Sequence, residues 1–351
     1  TSDSLLALIA LANADSRPGK IDVGVGVYRD GDGRTPVLRA IKEAEQRLWQ
    51  EQETKAYLGG AGDKLFAQLL RPIVLGPHAA DDRIGGLQTP GGCGAIYLAL
   101  QLVRAANPAA RVFVGAPTWP NHPPMIRGAA LQLVEYPHLD QDSGAVRFDA
   151  LLESLGEASR GDVVLLHGCC HNPTGADLTP GQWDEVARIV AQRGLLPLID
   201  IAYQGLGRGL EEDAYGVRVI LDACEEALIA QSCDKNFGVY RERVGCLFVK
   251  TCTTEATATA MSHLLQLARE AWSMPPDHGA AAVRIVLSDE ALTADWRAEL
   301  EDMRQRIATV RERIAASDER LAFVADQYGM FSMLPLTREQ VVGLREKHAI
   351  Y

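Results

Sequence analysis

The chain has 351 residues, of which 47% are hydrophobic and 23% charged, enough apolar material for one large domain or two unequal ones. Its formal charge of −11 argues against nucleic-acid and anionic-membrane partners, which select basic surfaces. Seven cysteines without a repeated CxxC pair argue against a disulfide framework and for a reducing cytoplasm.

Near the start, the apolar run at residues 5–12 is as long as a signal-peptide core. It lacks a basic flank and follows Asp3, so it predicts a short packed helix. No run reaches the ~20 apolar residues that cross a bilayer. Two glycine-rich stretches follow, "GGAGDK" at residues 59–64 and "PGGCGAIYLALQLV" after "RIGGLQT". Neither carries the GK[ST] ending of a P-loop or the GxGxxG spacing. The second opens a helix near Cys93, and bare N–H groups at a helix start form a phosphate seat.

From about residue 85, short apolar runs alternate with helical patterns. Residues 111–117, 162–170, 195–203, 226–232 and 245–251 read as buried strands, rich in Val, Leu and Ile and bounded by Gly, Pro or Asp. Between two of them, "LTPGQWDEVARIVAQRG" predicts a helix capped by Thr179, with Pro180 in its first turn and Gly194 after its end. Fully apolar strands alternating with helices predict an α/β fold, with a mainly parallel central sheet and helices on both faces. From about Ala294 a long charged helical stretch predicts a helix leading from the sheet domain to a smaller one.

In such sheets ligands bind beyond the carboxyl ends of the strands, so the residues there are the candidates for chemistry. Asp200 ends an apolar strand and Tyr203 follows in "DIAYQG"; a desolvated carboxylate needs a cationic partner, or it is a helix cap. Asn172 opens the turn "HNPTG", where its amide is a rigid donor or simply part of the turn. Trp119 and His122 sit in the Pro-bounded "TWPNH". Lys235 follows a strand in "SCDKNFGVYRERVG", together with Ser232 and Arg243. It is either an exposed loop lysine or one whose amine forms a Schiff base. The adjacent Cys169, Cys170 and His171 lack a second ligand pair, so no metal is expected. Together the set offers a lysine, an acid for a heteroaromatic nitrogen, an amide and a phenol for a ring oxygen, an aromatic plane and a phosphate seat. That inventory fits pyridoxal 5′-phosphate.

"IDVGVGVY", "PTWPNH", "HNPTG", "DIAYQG" and "KNFGVYRERVG" resemble the aspartate/aromatic amino-acid aminotransferases, class I enzymes of the fold-type I pyridoxal-phosphate family, in the same order over residues 16–351. The resemblance implies a fold-type I transferase with a large cofactor-binding domain at 37–302. A smaller α/β domain would be built from 1–36 and 303–351. It implies that Lys235 holds the cofactor as a Schiff base and moves the proton, that Asp200 pairs with the pyridinium nitrogen, and that His122 supports Asp200. Asn172 and Tyr203 would bond the ring oxygen, and Trp119 would stack on the ring; Trp119 and Asn172 would also border the substrate. Gly92, Cys93, Ser232 and Arg243 would seat the phosphate, with Tyr57 reaching it from the other subunit of a homodimer. Gly26 would lie in a segment over the substrate, and Arg269 would clasp a dicarboxylate's distal carboxylate across the dimer. The implied reaction moves an amino group between aspartate or aromatic amino acids and 2-oxoglutarate by a ping-pong mechanism.

Several features depart from the pattern. Asp234 stands where the family has a small residue; it raises the lysine pKa if close in space, or points away. Cys93 replaces a hydroxyl. Past "REKHAIY" the family carries an arginine for the substrate's α-carboxylate, which no residue here matches. The stretch near "AASDERLAF" is short, and the first residue is Thr1. Omitted segments are therefore expected. A lyase or decarboxylase of the same fold would have little use for Arg269, and a cofactor-sensing regulator would need a DNA-binding module absent from the chain.

Overall fold

The computed structural model describes residues 4–24 and 26–351. In chain order its elements are α1 (Ser4–Ala14), α2 (Arg39–Glu51), α3 (Lys64–Leu75), β1 (Ile84–Pro90), α4 (Gly91–Ala106), β2 (Arg111–Ala116), α5 (His122–Gly128), β3 (Gln132–Pro137), α6 (Phe148–Glu157), β4 (Val163–His167) and α7 (Pro180–Arg193). They continue with β5 (Leu196–Ile201), α8 (Tyr215–Ala223), β6 (Ala227–Ser232), β7 (Val244–Lys250), α9 (Thr254–Ala271), α10 (His278–Ser288), α11 (Glu290–Ala315) and α12 (Arg338–His348).

Among the described residues the strands form one sheet ordered β1-β7-β6-β5-β4-β2-β3. Strands β2 to β6 run parallel, and β7 runs antiparallel to both β6 and β1. The five apolar runs all form strands. Two further strands lie outside those runs, for physical reasons. β3 is an edge strand whose Gln132, Glu135 and Pro137 face solvent, so it carries little apolar signal. β1 holds Gly85 and Gly86; a Cβ on Gly86 would stand 2.8 Å from the Phe248 ring of β7, so close packing replaces the β-branched signature.

Alternation along the strands sends side chains to opposite faces. Leu165, Leu198, Leu228 and Ala230 pack with α4, α5 and α9. Val164, Ile199, Ile201 and Ile229 pack with α3, α7, α8, α10 and α11. Helix α7 forms as its sequence predicts: Thr179 and Gln182 make a reciprocal capping box, and Gly194 ends the helix at φ 63°. Helix α11 starts slightly before Ala294 because Asp289 accepts the N–H groups of Ala291 and Leu292 at 2.9 and 3.0 Å. The chain ends meet: Ile21 bridges Ile350, and Arg17 donates to the carbonyls of Arg345 and Glu346. No helix is long and apolar enough to cross a membrane among the described residues.

Candidate active site

The period of two in the strands gathers the polar strand-end residues on one face. His167 and Ser232 end β4 and β6, and Asp200 is the last residue but one of β5; they follow Leu165, Ala230 and Leu198 by two residues. All three therefore project to the α4 side, at the carboxyl edge of the sheet.

Asp200 is 6% exposed. His122, the first residue of α5, places Nε2 3.0 Å from Asp200 Oδ2. Its Nδ1 lies 2.7 Å from Thr118 Oγ1, which lies 3.0 Å from His167 Nε2. One donor order satisfies all three bonds: His167 donates to Thr118, Thr118 to His122, and His122 to the Asp200 carboxylate. Burial pushes the Asp200 carboxyl up, but the His122 hydrogen bond and the electrostatic pull of His122, His167 and Lys235 together outweigh it, and the group titrates below its ordinary value. Asp200 Oδ1 takes no hydrogen bond among the described residues, leaving one carboxylate oxygen for a cationic N–H. The rings continue inward. His167 lies 4.0 Å from His171, which stacks on His138 at 3.8 Å. Burial pushes His167 down to about 3 and His138 down to about 4, so both are neutral.

Lys235 sits in a turn after β6, in which Phe237 N donates to Cys233 O and Gly238 N to Lys235 O. The turn is held from behind. Trp296 Nε1 donates to Asn236 O at 2.8 Å, and the Phe237 and Trp296 rings stack at 4.2 Å. Lys235 is partly buried, with Nζ 5.1 Å from the centre of the Tyr203 ring. Among the described residues Nζ makes no hydrogen bond or ion pair. Burial pushes its pKa down, against the pull of Asp234 and Asp200. The upward pull expected from Asp234 is present, but desolvation exceeds it. The Asp234 carboxylate itself turns to Arg243 and to Val244 N. Tyr203 is buried, its hydroxyl accepts from Asn172 Nδ2 at 3.5 Å, and burial raises its pKa. The Asn172 turn is fixed by Asp177, whose carboxylate accepts the N–H groups of Cys170 and His171 at 2.7 and 2.8 Å.

The start of α4 faces this lysine turn. Pro90 supplies no capping side chain, so first-turn N–H groups are left without a side-chain acceptor. A Cβ on Gly92 would stand 3.0 Å from Ser232 Cβ, and one on Gly91 2.6 Å from Arg243 Nη2. Only glycine lets the helix start approach Ser232 and Arg243 this closely. Cys93 is the third residue of the helix, and burial raises its thiol pKa. Trp119 meets His122 edge-on at 5.3 Å.

A lysine amine with lowered proton affinity, a buried carboxylate with one open oxygen, and a glycine-walled helix start beside an arginine fit pyridoxal phosphate. Lys235 would hold its aldehyde carbon, Asp200 its ring nitrogen, Asn172 and Tyr203 its ring oxygen. The α4 start with Ser232 and Arg243 would hold its phosphate.

Tyr57 and Arg269 join no part of this cluster within the chain. Tyr57 is 91% exposed, and Arg269 is exposed on the last turn of α9. The two share one face, because Leu58 N contacts Met274 Sδ and Gly60 lies beside the Leu265 and Ser273 carbonyls. Gly26 borders Phe331, where an added Cβ would stand 2.4 Å from the ring. Phe331 meets Tyr203 edge-on at 5.7 Å. Its segment is tied down by buried Arg311, which donates to the carbonyls of Val324, Tyr328, Gly329 and Phe331.

Sequence reasoning missed Thr118, His167, His171, His138, Arg311 and Phe331. His167 carried a usable signal as the polar last letter of the run "VVLLH"; the others depend on contacts between distant segments. Cys169, Cys170 and Asp213 also gather within 4.8 Å. Asp213 spends both oxygens on the N–H groups of Gly205, Gly207 and Arg208, which makes it a loop brace.

Residues 18–351 match the family model described as aminotransferase class I and II. The tyrosine aminotransferase of Rhizobium meliloti is 50% identical over 99% of this chain and 90% of its own length. The aspartate aminotransferase of Escherichia coli is 44% identical over 100% of this chain and 91% of its own. The crystal structure of the aromatic-amino-acid aminotransferase of Burkholderia pseudomallei, covalently bound to pyridoxal phosphate, superposes with a TM-score of 0.96. It is 38% identical and covers 100% of this chain and 90% of its own.

Proposed function

Because the chain belongs to the class I and II aminotransferases, and is a fold-type I aminotransferase that uses pyridoxal phosphate, we propose that it moves the amino group between aspartate or aromatic amino acids and 2-oxoglutarate. The observation that carries this reading is the Lys235 amine, which makes no hydrogen bond among the described residues and lies between Tyr203 and the Asp200 side of the site. Bound there, the cofactor supplies an electron sink for the bonds at the substrate's α-carbon.

Each residue has a derived task. The Asp200 carboxylate, kept ionised by His122, holds a proton on a ring nitrogen at Oδ1. The neutral chain of Thr118 and His167 fixes the tautomer of His122, so that its Nε2–H points at Asp200. The Lys235 amine, its proton affinity lowered by burial, takes and returns a proton at Nζ. Asn172 and Tyr203 donate to a phenolic oxygen. Trp119 offers a ring face, and Phe331 beside Gly26 excludes water from the Tyr203 side.

Tyr57 and Arg269 act across a homodimer in this reading. Tyr57, Leu58 and Leu265 are exposed large hydrophobic residues on the face that carries Arg269, which suits a surface covered by a partner subunit. The large domain at 37–302, the smaller one formed by both chain ends, and a cytoplasmic setting for the seven unpaired cysteines belong to the same proposal. A planar guanidinium suits Arg269 to a distal carboxylate. The test compares aspartate with phenylalanine as donor to 2-oxoglutarate in the native protein and in Arg269→Ala. The kcat/KM for aspartate falls at least ~100-fold while that for phenylalanine changes little, as expected for loss of a bidentate charge contact. Equal losses for both donors would refute the role.

A further inference from the structure

The residue before the lysine is not accounted for by the reading above. Asp234 is 1% exposed. Its backbone N–H donates to Ser232 Oγ at 3.3 Å, its Oδ1 accepts Val244 N at 2.8 Å, and its Oδ2 accepts from Arg243 Nη1. A Cβ on Gly91 would stand 2.6 Å from Arg243 Nη2 and 2.8 Å from Asp234 Oδ2. The carboxylate and the guanidinium therefore both border the first residue of α4. This is the place where the helix start, Ser232 and Arg243 converge to receive an anion.

We propose that Asp234 is a built-in competitor for the cofactor's phosphate, an internal counter-anion that occupies Arg243 and sets how tightly this chain holds the phosphorylated cofactor. The inference rests on the cofactor reading of the site. A phosphate monoester carries about −1.5 to −2 at neutral pH, and here it shares one guanidinium with a buried carboxylate. Like charges at this range repel, and low local polarity strengthens the repulsion. Burial already pushes the Asp234 carboxyl above its ordinary value, with Arg243 and Lys235 pulling it back. An arriving phosphate therefore draws on the same arginine that pairs with this carboxylate. A neutral residue at 234 leaves no carboxylate to compete with the phosphate for Arg243. The penalty falls on the phosphate alone, so a cofactor analogue without one escapes it.

The full-length chain, its Asp234→Asn variant and its Asp234→Ser variant are titrated with pyridoxal phosphate and with pyridoxal. Binding is followed by absorbance of the bound ring at neutral pH and fixed salt, and circular dichroism checks the fold of each. Asparagine keeps the volume and the acceptor for Val244 N while removing the charge. Both variants bind pyridoxal phosphate at least ~10-fold tighter than the native chain, with pyridoxal affinity changed less than about twofold. Unchanged or weaker pyridoxal phosphate binding in a folded variant overturns the proposal, because Asp234 then only positions Arg243. A parallel gain for both ligands also overturns it, because the effect then acts at Lys235. If the native chain binds neither ligand, the cofactor reading fails together with this inference.

Discussion

Replacing His122 with phenylalanine removes the one side-chain hydrogen bond that Asp200 makes among the described residues and keeps a ring of similar volume in a fully buried site. The change therefore isolates the electrostatics from the packing. A buried carboxylate stripped of its partner costs about 3–5 kcal/mol while it stays ionised. In the native protein Asp200 titrates below its ordinary value. Its contribution is thus present above the unfolded-state carboxylate pKa and is lost as pH falls through the lowered value. In the variant burial prevails, the folded-state pKa rises above the unfolded one, and the penalty grows as pH climbs. The gap between the two proteins widens from about pH 4 to about pH 8. Urea unfolding of both cofactor-free chains at the two pH values measures it. A loss of about 3 kcal/mol or more at the higher pH, shrinking at the lower, is expected; His122→Gln, which keeps a donor, loses less. Stabilities within about 0.5 kcal/mol of each other at both pH values would refute the reasoning.

Gly92→Ala places a methyl 3.0 Å from Ser232 Cβ, so the helix start must draw back from the phosphate seat. Pyridoxal phosphate affinity, read by absorbance titration, falls about tenfold or more; an unchanged affinity would remove Gly92 from the seat. The buried histidines make the fold acid-sensitive. His138 is lowered from 6.5 to about 4, so its neutral form contributes stability above the unfolded-state pKa. That contribution is lost as pH falls toward the folded-state value, and it amounts to about 3 kcal/mol. His138→Gln can still donate to the Ala176 carbonyl and loses less stability between pH 7 and pH 4.5 than the native chain. Equal losses in urea unfolding would contradict this.

Much of the sheet was legible because its inner strands are apolar on both faces, and continuous runs such as "ALIAQS" leave no other reading. Direction was not legible: β7 is as apolar as β6, and nothing in its letters reveals that it runs antiparallel. β3 was hidden by its exposed edge, and β1 by glycines chosen for close approach. Asp200, near the end of β5, and Asn172 and Lys235, a few residues beyond β4 and β6, could be picked out because polar letters close to the ends of buried strands are costly without a task. The relay behind Asp200 could not. Thr118 and His167 meet across 49 positions, and each looks ordinary in its own stretch. Asp234 was visible as an anomaly, but its meaning required seeing that it faces Arg243 and not the lysine beside it.

The whole site turns on Lys235 as the residue that carries the cofactor. Borohydride reduction of the native chain loaded with pyridoxal phosphate, followed by peptide mass mapping, tests it most directly. The label is expected on the peptide containing Lys235, and Lys235→Ala should take up no label and lose turnover. A label fixed on another lysine, or a Lys235→Ala protein that keeps its transaminase activity, would contradict the account.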